Sequence, residues 1–204
     1  MKGPLRYIVF EGIDGAGKST QVSLLCDRLE ILSCTAVRLV EPTYGQYGTR
    51  IRTLMNEGGN SSIERQRELF TLDRREHVER KIKPLLAFIE ENDAFFIVQD
   101  RYYLSASAYQ AGSEGEMPAL LREQQSFAPR PDVVFLLDVP VEIAMERLIK
   151  AGKKKSIFET PDLLDKTRGR YLALAKEKSE PIQVIDATLP AEEVSQTIQD
   201  FLDL

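Results

Sequence analysis

Apolar side chains in this chain form five short runs, separated by stretches in which apolar and polar residues alternate at helical spacing. Short, nearly continuous apolar runs are typical of strands buried on both faces, as in a parallel sheet. Strands that alternate with helices along a chain predict an α/β fold, here a doubly wound, five-stranded parallel sheet with helices on both faces. The predicted strands are residues 5–11, 35–41, 95–100, 133–139 and 182–186.

The helical spacing predicts two helices in more detail. The longest helical pattern covers residues 62–92, where Ser61 or Ser62 can cap the start and Pro84 should kink or divide the helix. A final amphipathic helix is predicted for residues 191–202, directly after Pro190. Because no repeat, low-complexity tract or linker interrupts the pattern, residues 1–204 are expected to form a single domain.

A glycine-rich segment joins the first predicted strand to the first predicted helix. It reads Gly12-Ile13-Asp14-Gly15-Ala16-Gly17-Lys18-Ser19 and fits G-x-x-x-x-G-K-[ST], the phosphate-binding P-loop of NTPases. The glycines let backbone N–H groups converge on phosphate oxygens, and the helix N-terminus adds its dipole. We therefore expect Lys18 to reach the β- and γ-phosphates of a nucleoside triphosphate and the Ser19 hydroxyl to bind Mg²⁺. The alternative, a glycine turn with an incidental lysine, explains the flanking strand and helix less well.

A second phosphate-related feature stands at the end of the third strand. Asp100 and Arg101 follow directly on an apolar run, as in a Walker-B-type arrangement. An acid at this edge can hold Mg²⁺ directly or through water, and a guanidinium matches the geometry of a phosphate. The alternative is a strand-end aspartate that caps a turn beside a surface arginine.

Phe70 and Arg74 lie four residues apart on the long predicted helix and therefore on one face. A ring that can stack and a planar donor would together suit an aromatic base. Without other evidence, a core phenylalanine beside a surface arginine explains the pair better.

Composition narrows the class of partner. The net charge is −5, with 27 basic and 32 acidic residues and no basic tail, so nucleic acid is not expected as a partner. Cys26, Cys34 and the lone His77 offer no metal-ligand spacing. No apolar stretch is long enough for a membrane helix, so no membrane partner is expected, and the chain is predicted to be cytoplasmic.

Taken together, these motifs resemble the thymidylate (dTMP) kinase family along almost the whole chain. Residues 10–20, Glu41-Pro42, the helix segment 68–74, the segment 100–110, and the fourth and fifth strands match family motifs in order. The resemblance implies phosphoryl transfer from ATP to dTMP with Mg²⁺ as cofactor, a short lid over residues 150–160 and a homodimer formed through helices.

The resemblance also implies individual roles. Asp14 would face the acceptor sugar and phosphate, Pro42 would line the base pocket, and Phe70 would stack on thymine. Arg74 would hydrogen-bond the base, Arg101 would hold the acceptor phosphate, and Tyr109 would crowd the 2′ position. The implied ATP-binding residues are Gly12, Ile13, Asp14, Gly15, Ala16, Gly17, Lys18, Ser19, Thr20 and Arg147. The implied acceptor residues are Asp14, Pro42, Phe70, Arg74, Arg101, Ser105 and Tyr109, and the implied metal ligands are Ser19 and Asp100.

The chain departs from the family pattern at several positions. Val40 replaces an arginine before Glu-Pro, Tyr44 lies in a loop that is commonly glycine-rich, and Ala106 replaces a polar residue. Relatives carry a catalytic arginine in the P-loop or in the lid, but here the P-loop position is Gly15 and residues 150–160 contain no arginine. We expect a replacement cation to meet the transferring phosphoryl group alongside Lys18, Arg101 and Asp14. The candidates are Lys153, Lys154, Lys155 and Arg168.

Two alternatives remain open on the sequence. The chain could be a P-loop kinase that acts on another nucleoside monophosphate or on a deoxynucleoside, since Val40, Tyr44 and Ala106 all bear on the acceptor. It could also be a non-catalytic module in which ATP occupancy regulates a partner, which the missing arginine would favour.

Overall fold

The five predicted strands are present and form one sheet. The computed structural model describes residues 5–56, 62–152 and 160–204. Every strand pairs in parallel, in the order β2-β3-β1-β4-β5, which confirms the predicted α/β class. The strands are β1 (Tyr7–Glu11), β2 (Thr35–Val40), β3 (Phe95–Asp100), β4 (Val133–Asp138) and β5 (Ile182–Asp186).

The core of the molecule is centred on β1. All five β1 residues are buried, so both faces of the sheet are covered at this strand. Phe10 pairs in register with Asp100 on one side and with Phe135 on the other, and the two phenylalanine ring centroids are 5.5 Å apart. The edge strands β2 and β5 contain exposed positions, as expected where only one neighbouring strand is present.

Helices pack around the sheet. Within the described part of the chain they are α1 (Lys18–Ile31), α2 (Gln46–Asn56), α3 (Ile63–His77), α4 (Lys83–Glu91), α5 (Leu104–Gln110), α6 (Met117–Gln125), α7 (Val141–Lys150), α8 (Pro161–Lys176) and α9 (Ala191–Leu202). Helix α9 has the predicted bounds. A 3₁₀ turn, Glu114–Glu116, precedes α6.

The long predicted helix is divided into α3 and α4 by a π-helical turn, Val78–Ile82. Ser62 caps its start, since the Ser62 hydroxyl accepts a hydrogen bond from the Arg65 amide at 3.3 Å. A proline ring clashes with the carbonyl four residues before it in an α-helix. The wider turn just before Pro84 relieves that clash, and there the Lys83 amide bonds the Val78 carbonyl, five residues back.

The strand order determines where a ligand can bind. The connection after β1 runs to β2 on one side of the sheet, whereas the connection after β3 runs to β4 on the other side, so the direction reverses between β1 and β3. In open α/β sheets, the crevice at the carboxyl ends of such strands is the usual binding position. Glu11, Val40 and Asp100 end their strands at this edge, next to the loops that carry the predicted site residues.

Candidate active site

The P-loop follows β1 and leads directly into α1. Gly17 has a left-handed backbone (φ 96°) and precedes the first helical residue, Lys18. Gly15 has φ 84°, and a β-carbon built there would lie 2.4 Å from the Ala144 carbonyl oxygen on α7. A side chain at position 15 is therefore incompatible with this backbone. The departure from an arginine at this position has a steric basis in the close packing of the loop against α7.

Lys18 is buried beneath the loop. Its ammonium group donates hydrogen bonds to the carbonyl oxygens of Gly12 (3.0 Å) and Ile13 (2.8 Å). Burial and the nearby charge of Arg101 lower the pKa of Lys18 to about 8, although Asp14 and other acids oppose the shift. The neutral carbonyls that it contacts are weaker partners for an ammonium ion than phosphate oxygens would be.

Ser19 and Asp100 lie side by side below the loop. The Ser19 hydroxyl donates to the Asp100 carboxylate at 2.5 Å, which joins the start of α1 to the end of β3. Hydroxyl and carboxylate oxygens are ligands that Mg²⁺ accepts, and this metal usually takes its remaining ligands from water and substrate phosphates. Among the described residues no cluster of three or more His, Cys, Asp or Glu side chains forms a complete metal site. The pair therefore fits a magnesium ion held together with bound phosphates.

Arg101 brings four of the predicted acceptor residues together. Its guanidinium donates to Asp14 at 2.8 Å, to the Tyr109 hydroxyl at 3.2 Å and to the Ser105 hydroxyl at 3.3 Å. It also lies 4.9 Å from the centroid of the Tyr109 ring. Arg101 itself has a left-handed backbone, with φ 66°, which is uncommon for a residue other than glycine.

The charge of Arg101 sets the ionisation of Asp14. Burial alone would raise the pKa of the Asp14 carboxyl, but the charges of Arg101 and Lys18 and hydrogen bonds from Arg101 and Tyr109 outweigh it. The pKa of Asp14 therefore lies below its usual range. Asp14 is ionised at neutral pH and serves as the anionic partner of Arg101.

Two adjoining cavities open at this edge of the sheet. The larger, about 690 Å³, is lined by the P-loop and α1 residues Asp14, Gly15, Gly17, Lys18, Ser19 and Thr20 and by Asp100, Arg101 and Arg147. The smaller, about 50 Å³, is mostly apolar and is lined by Asp14, Pro42, Met55, Phe70, Arg101, Ser105, Tyr109 and Gln110. Asp14, Pro42, Met55 and Arg101 line both cavities, so they stand at the junction.

Arg147 also borders a third cavity, of about 210 Å³, on the other side of the P-loop. The opposite wall of this cavity is the segment after β5, including Ala187, Leu189 and Pro190. This wall was not predicted from the sequence. The position of the segment after the fifth strand, at the same edge as the P-loop, is the signal that could have indicated it.

Arg74 does not lie with the other acceptor residues. Its side chain is 1% exposed and it is not among the described residues that line either acceptor-side cavity. It donates to the Glu41 carboxylate at 2.8 Å, to the Gln124 side-chain oxygen at 2.7 Å and to the Tyr102 carbonyl at 3.1 Å. Three of its five N–H groups are thus bonded to protein oxygens, and its predicted contact with a base stays a prediction.

Helix α3 anchors the loop that follows β2. Glu41 accepts from Arg74 and contacts His77 Nδ1 at 3.0 Å, and Asp73 accepts from both the amide and the hydroxyl of Thr43, at 2.7 and 2.6 Å. This clamp positions Pro42, which lines both cavities. Val40 leaves the loop without the family arginine, yet three α3 side chains order it.

Arg52, Gln110 and Met55 line the cavities but were not predicted. Arg52, on α2, donates to the Pro42 carbonyl, and its guanidinium lies 4.5 Å from the centroid of the exposed Tyr44 ring. The sequence signal for Arg52 was that it is a basic residue on the helix directly after a strand-end loop. Gln110 belongs to the segment 100–110 that carries the resemblance, but no physical argument separated it from its neighbours.

None of the four predicted replacement cations is among the described residues that line the large cavity. Lys153, Lys154 and Lys155 lie outside the described residues, as does most of the predicted lid. Arg168, on α8, forms a two-point ion pair with Asp138, with nitrogen–oxygen distances of 2.6 and 3.0 Å. Beside Lys18, the described cations that line the large cavity are Arg52, Arg101 and Arg147.

A P-loop that opens onto one cavity, with an arginine at the entrance to a second, indicates a kinase that uses a nucleoside triphosphate to phosphorylate a nucleotide. The class defined by this fold and site is therefore the P-loop nucleoside monophosphate kinases. The family model described as Thymidylate kinase matches residues 10–198, and the chain belongs to the thymidylate kinase family.

Curated relatives agree with this assignment over most of their length. The chain is 39% identical over 200 residues to a thymidylate kinase of Akkermansia muciniphila, covering 98% of this chain and 92% of the relative. It is 38% identical over 173 residues to a thymidylate kinase of Desulfotalea psychrophila, covering 84% and 83%. It is 39% identical over 201 residues to a probable thymidylate kinase of Thermococcus kodakarensis, covering 94% of each. Among the described residues, no helix is both long and apolar enough to span a membrane.

Proposed function

We propose that this chain transfers the γ-phosphoryl group of ATP to dTMP, giving ADP and dTDP. The observation that carries the proposal is the junction of the two cavities, where Asp14 and Arg101 separate the P-loop from a small apolar pocket. That pocket, with Phe70 and Pro42 in its lining, offers an aromatic face and an apolar wall. At about 50 Å³, it is much smaller than the adjoining cavity of about 690 Å³.

The acceptor phosphate needs a positively charged residue to hold it more than it needs a general base to remove a proton. A phosphate oxygen of dTMP is already an anion, so it can attack the γ-phosphorus without losing a proton first. The bond from that oxygen to phosphorus forms as the bond to the β–γ bridging oxygen breaks, and this oxygen leaves on ADP. A deoxynucleoside acceptor would need a general base, but Asp14 and Glu41 are both ion-paired with arginines, at 2.8 Å in each case.

Each residue at the junction has a role in this reaction. Arg101 exchanges part of its contact with Asp14 for the acceptor phosphate and holds it for in-line attack. Lys18 leaves the loop carbonyls for the β- and γ-phosphates, where its charge is stabilised. Tyr109, hydrogen-bonded to Arg101, stands beside the acceptor sugar. Catalysis then comes from position and charge, with no covalent intermediate.

Ser19 and Asp100 are the residues that we propose for Mg²⁺, on the fit described above. When bound, the ion would neutralise charge on the phosphates. Arg147 lines both the large cavity and the cavity bordered by residues 187–191, which supports our proposal that it holds the adenine end of ATP.

A panel of acceptors tests the proposed substrate. A coupled ADP-release assay with dTMP, dUMP, dCMP, dGMP, UMP and thymidine should give the highest kcat/KM for dTMP and no turnover of thymidine. A higher kcat/KM for another monophosphate would move the assignment to that acceptor. Binding of ATP without ADP release on any acceptor would instead support a non-catalytic module.

We also propose that Lys153, Lys154, Lys155 or Arg168 supplies the missing catalytic cation. The position of Gly15 against Ala144 supports a source outside the P-loop. Alanine at each of the four positions should identify one variant with a strongly reduced kcat. If all four variants kept the wild-type kcat, the cation would have to come from elsewhere, with Arg147 and Arg52 the described cleft residues to examine.

We further propose that residues 1–204 act as one kinase domain in the cytoplasm, where ATP and dTMP are available, and that the chain forms a homodimer. Phe88 on α4 is 48% exposed and supports an apolar interface, whereas Ile82 and Ile89 on the same segment are buried in the core. Light scattering should then give twice the chain mass of 23.1 kDa. A mass of 23.1 kDa, that of one chain, would contradict the proposed homodimer.

A further inference from the structure

A buried carboxylate lies behind the acceptor arginine. Glu11, the last residue of β1, is 0% exposed and has no assigned role in the proposed reaction. One of its oxygens accepts from the Tyr102 and Ser105 amides, at 2.9 and 3.1 Å. The other accepts from the hydroxyls of Ser105 (2.7 Å) and Tyr171 (2.8 Å).

This hydrogen bonding fits the ionised form of Glu11. Two backbone N–H groups and two hydroxyls all face the carboxylate, and a carboxylate accepts at every one of its lone pairs. Burial raises the pKa of Glu11, while the charge of Arg101 and the hydrogen bonds from Ser105, Tyr102 and Tyr171 oppose that shift. A buried charge of this kind is costly unless its partners are fixed in place, so the contacts of Glu11 also hold its partners.

One partner of Glu11, the Tyr102 amide, directly follows Arg101 in the chain. The Arg101 amide donates to the Phe10 carbonyl at 2.9 Å, and the next amide, that of Tyr102, donates to Glu11. The peptide groups on both sides of Arg101 are therefore bound to consecutive residues at the end of β1. Arg101 has the left-handed backbone (φ 66°) between these two bonds, a conformation that persists only where its surroundings impose it.

We infer that Glu11 is a positioning residue for the acceptor phosphate, because it holds the backbone of Arg101 in the conformation that directs its guanidinium to the cavity junction. Glu11 touches neither cavity itself and acts through Arg101. Without the carboxylate, the Tyr102 amide loses its acceptor, and the peptide is held only at the Arg101 carbonyl, which accepts from the Gln99 side chain at 2.9 Å. Arg101 can then relax to an ordinary backbone conformation, and its guanidinium leaves Asp14.

The inference rests on the proposed function, and a double-mutant cycle tests it. Glu11→Ala should raise the KM for dTMP about tenfold or more, with little change in ATP affinity measured without acceptor. In an Arg101→Ala background, adding Glu11→Ala should change kcat/KM for dTMP less than threefold. Equal losses in the two backgrounds would overturn the inference, because Glu11 would then act independently of Arg101.

Matched variants separate positioning from general stability. Glu180→Ala removes another buried carboxylate, one that accepts from Tyr103 at 2.5 Å, and should lower Tm without raising the KM for dTMP. Glu11→Gln should retain most of the wild-type dTMP affinity. The glutamine oxygen can accept from the Tyr102 and Ser105 amides, while the Ser105 and Tyr171 hydroxyls turn to accept from its NH₂ group. If Glu11→Gln were as impaired as Glu11→Ala, the hydrogen-bond explanation would fail.

Two further measurements test the inference without depending on the folding of Glu11→Ala or on turnover. If Glu11→Ala does not fold, Glu11→Asp, which is one methylene shorter, goes through the same cycle and must show the same coupling to Arg101. Calorimetric binding of dTMP without ATP gives an affinity that does not depend on turnover. If the wild-type chain phosphorylates a different acceptor, the proposed function is corrected and the cycle is run with that acceptor, so the two failures remain distinct.

Discussion

The two halves of the active site are built differently. The donor half, Gly12 to Ser19 with Asp100, is one continuous segment plus a single residue from the neighbouring strand. The acceptor half is assembled from the P-loop, the loop after β2, α3 and α5, and side chains such as Glu41 and Asp73 hold these parts together. A local motif can therefore specify the donor half, whereas the acceptor half depends on tertiary packing.

The largest effect should follow from a change confined to the donor half. Lys18→Ala removes the cation expected at the β- and γ-phosphates and should lower kcat about 10³-fold, while dTMP binding measured by calorimetry stays within threefold. Circular dichroism should show an intact fold. If dTMP binding fell as strongly as kcat, the two halves would not be separable.

The reciprocal change lies in the acceptor half. Arg101→Ala removes the charge-assisted bonds to the acceptor phosphate and should lower kcat/KM for dTMP about 10²-fold, with ATP affinity nearly unchanged. Loss of the Arg101 charge should also return the pKa of Asp14 towards its usual range, which a pH titration of the variant would detect. Weakened ATP binding would place Arg101 in the donor half instead.

A third change tests how the acceptor half is held together. Arg74→Ala leaves Glu41 buried without its arginine and should lower the free energy of unfolding by about 3 kcal/mol, measured by denaturant titration. Arg80→Ala is the matched control, because the Arg80 side chain is 75% exposed and its ion pair with Glu76 should contribute less than about 1 kcal/mol. A normal stability with a raised KM for dTMP would show that Arg74 serves the base rather than the loop.

The smallest effect concerns pH and the donor half alone. Because burial and the nearby Arg101 charge lower the pKa of Lys18 to about 8, below that of a free lysine, ATP should bind with uptake of a proton above pH 8. ATP affinity should fall by up to about tenfold from pH 8 to pH 9, since phosphates favour the ammonium form. Calorimetry in buffers of different ionisation heat measures this uptake, and dTMP affinity should not follow the same curve.

The same lysine also affects stability in a defined direction. Its folded pKa lies below the unfolded value of 10.5, so between about pH 8 and pH 10.5 the unfolded chain binds more protons at this site. The contribution of Lys18 therefore makes unfolding less favourable as pH rises through this window. Comparison of wild type with Lys18→Met isolates that contribution.

The difference between the halves also explains what the sequence could predict. Periodicity located all five strands and α9, because short apolar runs indicate buried strands and apolar positions at helical spacing indicate amphipathic helices. The P-loop residues and the two expected Mg²⁺ ligands, Ser19 and Asp100, followed from one motif and one strand end. The neighbourhood of Asp14, Arg101, Ser105 and Tyr109 came only from the resemblance to a family.

Other features depend on packing that no local pattern records. Helical spacing placed Phe70 and Arg74 on one face, but only the tertiary structure shows Arg74 bonded to Glu41 while Phe70 lines the cavity. The steric exclusion of a side chain at Gly15 arises from α7, more than a hundred residues away in the chain. In the sequence, Glu11 is an ordinary strand-end residue, and only the structure shows that four donors contact its carboxylate.

The contacts of Glu11 have a consequence for how the two substrates influence each other. Its carboxylate bonds the peptide next to Arg101 and also Tyr171 of α8, the helix that begins directly beyond the predicted lid. One carboxylate therefore links the backbone beside Arg101 to the helix that follows the predicted lid. Thermodynamic reciprocity then fixes the result: by whatever factor dTMP changes the affinity for ATP, ATP changes the affinity for dTMP by that same factor.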